Sequence, residues 1–390
     1  MKILIISKTS KPFNDIGSKR HMTLAKLLSD KGLETDVLIS DISYVDNKKY
    51  RPSSQKNVKV INCYFQGNSF VKRTLSIIEF SIKIHFIKER NYDIVIGSSP
   101  DLVSCLSAYF FSLKNKSKFV MEIRDIWPLS ITELTNITYG ITLLKKIEYF
   151  LYKRSKFIIS PIVNIKDYFI EINKKHLIKK TLFLPQTLDT SSFKQESSIN
   201  LTSDNYLKII YSGSVRYNNH LSEIIQYLQY ANTTYGNFFE LTIMGDGASL
   251  KAIKKIASRM KFKIDFKKSK NKSKAIISEI SQHDLGISYI IVSKLYSYGI
   301  AFNKSVDFIA AQTPLAVIGG KGIPDFYETD VRFKLNHDKK DFSKFIYGYS
   351  KLTAMERQDI KRNLKDLKAF NLEKKKYLDD LCKKCTQIIS

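Results

Sequence analysis

Short runs of consecutive apolar residues alternate along the chain with longer stretches in which apolar residues recur every three or four positions. The short runs predict buried strands at residues 2–7, 35–40, 58–64, 93–98, 118–123, 157–160 and 181–184. The longer stretches predict helices at residues 18–31, 70–88, 102–114, 141–153 and 163–174. Apolar strands that are each followed by a helix are typical of a parallel sheet covered on both faces.

The pattern stops over the mostly polar residues 185–206 and starts again at residue 207. Further strands are predicted at 207–213, 240–244, 263–266, 285–289 and 314–318, and helices at 221–234, 248–261, 272–282, 303–311, 341–351 and 353–370. Two such alternations predict an α/β protein with two doubly wound, Rossmann-like domains, residues 1–186 and 207–371, that face each other across a cleft. A last helix, 372–390, is a candidate to pack back on the first domain. Ligands of such sheets bind outside the carboxyl ends of the strands.

Composition narrows the class of protein. The 390 residues include 64 Lys and Arg against 37 Asp and Glu, a formal net charge of +27 that implies an anionic partner. Four cysteines exclude a disulfide scaffold and fit a reducing compartment. The apolar start is too short for a signal peptide, and the run at 157–165 is far shorter than the ~20 residues of a membrane-spanning helix. We expect a soluble or peripheral protein.

Two candidate ligand-binding segments lie in the first half. Gly17 and Arg20 stand between the first strand and the first helix, where free N–H groups and the helix dipole favour an anion. This segment lacks the three glycines of the dinucleotide fingerprint, which disfavours NAD. The second segment follows the strand at 118–123 and contains Glu122, Arg124, Asp125 and Trp127. Carboxylate, guanidinium and indole groups suit a polar, ring-shaped ligand, and the alternative is a buried structural ion pair beside a core tryptophan.

Three more candidate segments lie in the second half. Each follows a predicted strand or opens a predicted helix, and their polar residues are Gly213, Ser214 and Arg216, then Gly245 and Asp246, then Asn303, Lys304 and Asp307. A glycine loop followed by a cation is expected to hold a pyrophosphate. Lys304 at a helix start can neutralise a phosphate, and Asp307, one turn further on, can accept hydrogen bonds from ribose hydroxyls. The alternative is a set of ordinary turns and helix caps with solvated charges.

Other site classes have little support. The sequence contains no Asp-x-Asp pair, no zinc-spaced histidine cluster, no Walker loop and no nucleophile elbow. Residues 70–90 and 143–157 interleave Lys and Arg with aromatic and aliphatic residues, which suits an anionic membrane surface. The alternative is a core face opposite a solvated face. RNA could use the same residue types, but no RNA-binding motif is present, so we expect no nucleic acid partner.

Five segments, taken in order, resemble glycosyltransferase family 4, whose members have the GT-B architecture. They are residues 17–20, 122–128, 211–216, 298–304 and 307–314. Those at 122–128, 211–216 and 298–304 resemble the branch that builds surface polysaccharides and lipopolysaccharide O-units. The resemblance implies a retaining, metal-independent enzyme without a cofactor, whose donor is a nucleotide diphosphate sugar.

The resemblance also implies roles for the candidate residues. Arg216 and Lys304 would hold the diphosphate and stabilise the leaving group. Asp125, the third catalytic residue, would face the reacting sugar or the acceptor. Asp307 would bind the ribose. The rest of the nucleotide-sugar side would be Gly17, Gly213, Ser214, Gly245, Asp246 and Asn303, with Gly17 also facing the reacting sugar or the acceptor. The acceptor or sugar side would be Arg20, Glu122, Arg124 and Trp127.

The chain departs from the family pattern in three places. Gly299 and Asp307 stand where the family has a pair of glutamates, so the first glutamate's contact with the donor sugar must come from elsewhere. No lysine follows the first phosphate loop within residues 217–221. Gln312 and Thr313 replace the family's usual Gly-Lys pair.

We therefore expect a hexosyl- or N-acetylhexosaminyl-transferase of bacterial capsule or O-antigen synthesis. Its acceptor would be a lipid-linked saccharide, and it would work in the cytoplasm, peripheral on the inner face of the cytoplasmic membrane. Two alternatives stay open. One is a nucleotide-sugar epimerase of the same architecture, which needs neither acceptor nor membrane. The other is a non-catalytic nucleotide- or polyanion-binding protein.

Overall fold

A computed structural model describes residues 1–15, 18–43, 47–67, 69–89, 91–134, 140–185, 205–268, 273–300, 303–320, 333–364 and 367–389. The chain divides into two compact units. Unit 1 comprises Met1–Asp189, Tyr298–Ala301 and Asn371–Ser390, and unit 2 comprises Thr190–Ser297 and Phe302–Phe370.

Unit 1 contains seven strands within the described residues. They are β1 Lys2–Ile6, β2 Glu34–Ser40, β3 Val58–Ile61, β4 Ile94–Ser98, β5 Lys118–Glu122, β6 Ile158–Ser160 and β7 Thr181–Phe183. Its helices are α1 Arg20–Ser29, α2 Phe70–Lys83, α3 Leu102–Lys114, α4 Trp127–Leu134, α5 Ile141–Arg154 and α6 Ile165–Glu171. The strands form one parallel sheet in the order β3-β2-β1-β4-β5-β6-β7. The central strand β1 is buried from Ile3 to Ile6, as expected for a strand covered on both faces.

The described part of unit 2 contains a second, smaller parallel sheet. Its strands are β8 Leu207–Ser212, β9 Phe239–Met244, β10 Ile264–Lys267, β11 Leu285–Tyr289, β12 Leu315–Ile318 and β13 Phe333–Leu335. Its helices are α7 Leu221–Tyr235, α8 Leu250–Ala257, α9 Ser273–Ser281, α10 Lys294–Ser297, α11 Asn303–Ala310, α12 Lys339–Lys351 and α13 Ala354–Arg362. The strand order is β10-β9-β8-β11-β12-β13, and every pair is parallel.

The last helix, α14 Leu367–Ile389, passes from unit 2 into unit 1. Its residues Leu378, Leu381 and Cys385 belong to the buried cluster that also contains Ile3 and Ile5 of β1. An exposed ion pair, Lys31 to Asp379 at 2.7 Å, lies beside this contact. The core of unit 1 is therefore completed by a segment distant in sequence.

The expected α/β class with two parallel-sheet, Rossmann-like domains is confirmed. Several details differ from the expectation, and one is the short helix α10, which was not expected. The strand β13 and the helix α4 were not expected, and a helix expected over 353–370 is instead α13, which ends at Arg362, followed by α14. In the part of the chain that the structure describes, no helix is long and apolar enough to cross a membrane.

Candidate functional site

Two glycine-containing loops pack against each other at the carboxyl ends of β8 and β9. A Cβ added at Gly245 would lie 1.9 Å from the carbonyl oxygen of Gly213, so only glycine fits there. A Cβ added at Gly247 would lie 2.3 Å from the carbonyl oxygen of Val215. The Val215 N–H donates to the carbonyl oxygen of Asp246 at 2.8 Å. These contacts hold the backbone of both loops at the edge where parallel sheets bind ligands.

The first of these loops also carries the candidate cation. Arg216 is half-buried and immediately precedes a single 3₁₀ turn, Tyr217–Asn219. Ser214 is exposed, and Asn219 Nδ2 donates to its carbonyl oxygen at 2.7 Å and contacts its Oγ at 2.8 Å. The side chain of Asp246 in the second loop is exposed, and its carboxylate accepts from the Gly247 N–H at 2.7 Å. Sequence reasoning did not single out Asn219, whose side chain closes the loop from outside the motif.

The helix α11 is anchored on β11 by a close ring contact. Phe308 packs on Gly286, where an added Cβ would lie 2.1 Å from the ring. Because Gly286 is near the amino end of β11 and Phe308 is in the second half of α11, the start of α11 lies toward the carboxyl end of the sheet. Asn303 and Lys304 form this start, and their side chains lie outside the described residues. One turn later, burial raises the pKa of Asp307 to about 7.

In unit 1, Arg20 and Glu122 form a buried ion pair. Arg20 Nε donates to Glu122 Oε1 at 2.8 Å, and the two side chains are 2% and 0% exposed. The other guanidinium nitrogens donate to the carbonyl oxygens of Pro185 and Leu184, both at 3.0 Å. The arginine therefore connects α1, the end of β5 and the chain after β7, and the charge of each side chain is compensated inside the protein.

Glu122 is also the centre of a polar network with His21. The other carboxylate oxygen of Glu122 lies 2.6 Å from His21 Nε2 and accepts from Ser98 Oγ at 2.6 Å. Ser10 Oγ contacts the remaining ring nitrogen of His21. Burial opposes ionisation of Glu122, but Arg20 and His21 outweigh it and hold the pKa of the carboxylate well below its usual range. Burial lowers the pKa of His21 in spite of Glu122.

The segment after β5 is held by a serine at the end of β4. Ser99 Oγ accepts from the N–H groups of Arg124 at 2.9 Å and Asp125 at 3.1 Å. Burial raises the pKa of the Asp125 carboxyl group, although Ser130 and Arg124 oppose the shift. Trp127 is half-buried at the start of α4. Arg124, Asp125 and Trp127 are thus grouped at the carboxyl end of β5, next to the Glu122 network.

The stretch just before α11 belongs to unit 1 and packs within it. The Tyr298 carbonyl oxygen accepts from the Asn164 N–H at 2.8 Å, and Tyr298 Oη donates to Glu171 at the end of α6. Gly299 has φ +110°, and an added Cβ would lie 2.9 Å from Val163. The backbone here therefore favours glycine, at the position where the resemblance places the first glutamate of the family's pair.

Gly17 lies outside the described residues. Within them, no group of three or more His, Cys, Asp and Glu side chains could hold a metal ion. The structure thus groups Gly213, Ser214, Arg216, Gly245 and Asp246 at one edge of the unit 2 sheet. It groups Arg20, Glu122, Arg124, Asp125 and Trp127 at the corresponding edge of unit 1.

No protein-family model matches the sequence, and a search of curated proteins finds no match. Solved structures do resemble it along most of its length. Sucrose-phosphate synthase from Thermosynechococcus elongatus has a TM-score of 0.69 at 12% identity, covering 97% of this chain and 98% of its own. Anabaena HepE in complex with UDP-glucose has 0.63 at 12%, covering 97% and 100%. The lipopolysaccharide outer core galactosyltransferase WaaB has 0.56 at 12%, covering 95% and 98%. The expected GT-B fold is confirmed, while membership of glycosyltransferase family 4 and of its branch stays a prediction.

Proposed function

We propose that this protein is a glycosyltransferase that moves a sugar from a nucleotide diphosphate sugar to a lipid-linked saccharide. The observation that carries the proposal is the pair of interlocked glycine loops at the ends of β8 and β9, which lie with Arg216 at the edge of the sheet where a diphosphate would bind. Similar structures include HepE, which was solved with UDP-glucose. WaaB, described as a lipopolysaccharide outer core galactosyltransferase, supports the proposed setting in surface polysaccharide synthesis. The inner face of the cytoplasmic membrane is proposed as the place of the reaction because the proposed acceptor is lipid-linked.

The proposed chemistry is attack of an acceptor hydroxyl on the anomeric carbon, with loss of the nucleoside diphosphate and retention of configuration. Arg216 and Lys304 bind the departing diphosphate and stabilise the negative charge that develops on it. Asp307 accepts hydrogen bonds from the ribose hydroxyls, a role that requires the ionised carboxylate. With a pKa of about 7, this carboxyl group is at least half ionised at neutral pH and above. Asp125 contacts the acceptor at the end of β5. No step of this scheme uses a metal ion.

The first experiment is a thermal-shift screen of the full chain against UDP-, GDP- and TDP-sugars and the free diphosphates. A ligand that binds only the folded protein raises the melting temperature, so one nucleotide series should stand out. Transfer is then assayed with the identified donor and a lipid-linked saccharide. Conversion of the donor without any acceptor would instead indicate an epimerase, and binding without turnover would indicate a non-catalytic protein.

Variants test the assigned residues. Lys304→Ala and Arg216→Ala should each reduce the transfer rate by about 10²–10³ while leaving the melting temperature unchanged, since each removes one contact to the developing charge. Lys251→Ala on the exposed side of α8 is the matched control. Asp307→Asn should weaken binding of the free nucleoside diphosphate, measured by titration calorimetry. An unchanged dissociation constant would contradict the ribose contact, and parental rates in both cation variants would contradict the diphosphate site.

A further inference from the structure

The helix α2 turns an apolar side to solvent. Its buried positions include two serines and Phe80, whereas large apolar side chains on the opposite side are exposed. Phe70 is 69% exposed and Ile82 is 56% exposed, with Val71 and Ile78 between them along the same face. The 3₁₀ turn that follows adds Phe86, which is 76% exposed. This pattern is the reverse of an ordinary surface helix, whose apolar face is buried.

The neighbouring helix α3 continues this face. Apart from Lys114 at its end, its outward positions recur at helical spacing and are apolar: Val103 and Leu106 are half-buried, and Phe110 and Leu113 are exposed. The two helices are joined by hydrogen bonds of small residues, with Ser81 Oγ 3.2 Å from Ser104 Oγ and Ser107 donating to the Ser81 carbonyl oxygen. The exposed side chains of both helices therefore form one surface, which we call the α2–α3 face.

Helix α5 borders the α2–α3 face with basic residues. Tyr109 of α3 packs edge-on against Phe150 of α5, with ring centroids 5.3 Å apart. The guanidinium group of Arg154 lies 5.5 Å from the centre of the Phe150 ring. Leu143 and Lys146 lie on the same stripe of α5, at three- and four-residue spacing from this pair. The border thus combines apolar and cationic side chains.

All the exposed charges in these three helices are positive. The two carboxylates that the helices contain are withdrawn from solvent: Glu79 binds Lys83 and two backbone N–H groups, and Glu148 is 2% exposed beneath Tyr152 and Tyr168. The exposed or half-exposed basic residues are Lys72, Arg73, Lys83, Lys114, Lys145, Lys146, Lys153 and Arg154. An apolar centre with a cationic border and no exposed acid is complementary to an anionic lipid surface.

We propose that the α2–α3 face, with its α5 border, docks on the surface of an anionic lipid bilayer. Phe70, Ile78, Ile82, Phe86 and Phe110 enter the interface between headgroups and acyl chains, and the basic residues contact lipid phosphates. A second copy of this chain is disfavoured as the occupant, because it would bring the same positive charge against the same border. The inference rests on the proposed function for its purpose, since a lipid-linked acceptor is found at such a surface.

The experiment is sedimentation of the full chain with vesicles of phosphatidylcholine alone or mixed with phosphatidylglycerol. The parent protein should pellet with the anionic vesicles, and added salt should release part of it because surface charges are screened over about 8–10 Å at physiological salt. The triple variant Phe70→Ser/Ile78→Ser/Ile82→Ser should bind at least about tenfold more weakly. Its control is Val292→Ser/Met355→Ser, which removes apolar side chains of unit 2 that are at least as exposed.

The border is tested separately. Replacement of Lys145, Lys146, Lys153 and Arg154 by Gln should weaken binding to anionic vesicles by up to about 10³-fold, since each favourably placed basic residue contributes roughly fivefold. The control for net charge is Lys251→Gln/Lys254→Gln/Lys255→Gln/Lys261→Gln, which removes four exposed positive charges on α8 and just after it. The proposal would be overturned if the parent protein did not pellet with anionic vesicles. It would also be overturned if the apolar triple variant or the basic quadruple variant pelleted as well as the parent. A dimer in solution that the triple variant abolishes would overturn it as well, because a second copy would then cover the face.

Nucleotide binding distinguishes this inference from the proposed function. Melting temperatures of all variants are recorded with and without the donor nucleotide found in the screen, and the face variants should show the parental shift. If no nucleotide sugar binds the parent while the vesicle results follow the expected pattern, the sugar-transfer proposal fails and the docking face stands. If the nucleotide raises the melting temperature but the parent protein does not pellet with anionic vesicles, the docking proposal fails and the sugar-transfer proposal stands.

Discussion

Removal of the carboxylate of Glu122 should destabilise unit 1 strongly. In Glu122→Ala, the guanidinium group of Arg20 stays buried at 2% exposure without its carboxylate. Breaking a buried pair by removing one partner typically costs about 3–5 kcal/mol. Arg20 keeps two carbonyl acceptors, so we expect the lower end of this range, about 3 kcal/mol. For a unit of this size that corresponds to a fall in melting temperature of about 6–12 °C.

The assay can be restricted to the unit that carries the change. Trp127 is the only tryptophan of the chain and lies in unit 1, so its fluorescence follows the unfolding of unit 1. The control is Asp379→Ala, which removes an exposed, solvent-screened ion pair with Lys31 and should leave the melting temperature nearly unchanged. The double variant Arg20→Met/Glu122→Met should recover part of the loss, because no uncompensated charge remains.

The pH dependence gives a second check on the same reasoning. Since the pKa of folded Glu122 lies well below its usual range, its stabilising contribution is present above about pH 4.5 and is lost as the pH falls toward the folded pKa. The gap in melting temperature between the parent and Glu122→Ala should therefore hold from pH 8 to about 5 and narrow below about 4. A gap no larger than that of Asp379→Ala, or one that widens in acid, would refute the argument.

Three further changes test other contacts. Gly245→Ala should lower the free energy of unfolding of unit 2 by about 1–3 kcal/mol or more, because its methyl group overlaps a main-chain oxygen of the neighbouring loop. Gly348→Ala in α12 is the control and should not, because its methyl group meets open space. Calorimetry of both variants tests the prediction. The melting temperature of Glu148→Gln should rise relative to that of the parent as the pH increases from 5 to 8. Burial raises the folded pKa of Glu148 to about 7, so the parent loses the stabilisation from its protonated carboxyl group as the pH rises through that value. A difference in melting temperature that does not depend on pH would contradict this. Tyr298→Phe and Glu171→Ala should each destabilise unit 1 by about 1 kcal/mol, and their double variant should be no worse than either. Additive losses in a double-mutant cycle would exclude a shared hydrogen bond.

The sheets could be predicted from the sequence because buried parallel strands are continuous apolar runs. The elements that were missed carry weak or contrary local signals. The strand β13 has only three residues, and its position depends on pairing with β12. The helix α4 has only eight residues, too few for a clear apolar period, and it begins with Trp127 and Pro128; proline is well tolerated in a first helical turn.

The candidate site was predictable only where backbone geometry determines the residue. Glycine after a buried strand marks Gly213 and Gly245, whose close contact requires it. The side-chain partners were not predictable in the same way. Arg20 and Glu122 are 102 positions apart, and nothing local indicates that they bind each other rather than a ligand. Their partner choice is set by the packing of α1 against the ends of β4, β5 and β7.

The contact between α14 and β1 has a consequence for synthesis of the protein on the ribosome. About 190 residues separate Asp189, where the first segment of unit 1 ends, from Leu378, which completes its core. At typical elongation rates of about 5–20 residues per second, the nascent chain waits roughly 10–40 s for that segment. During this interval the apolar surface that α14 later covers is open to chaperones and to neighbouring nascent chains. Unit 1 therefore begins translation first but cannot finish folding before unit 2 has been made.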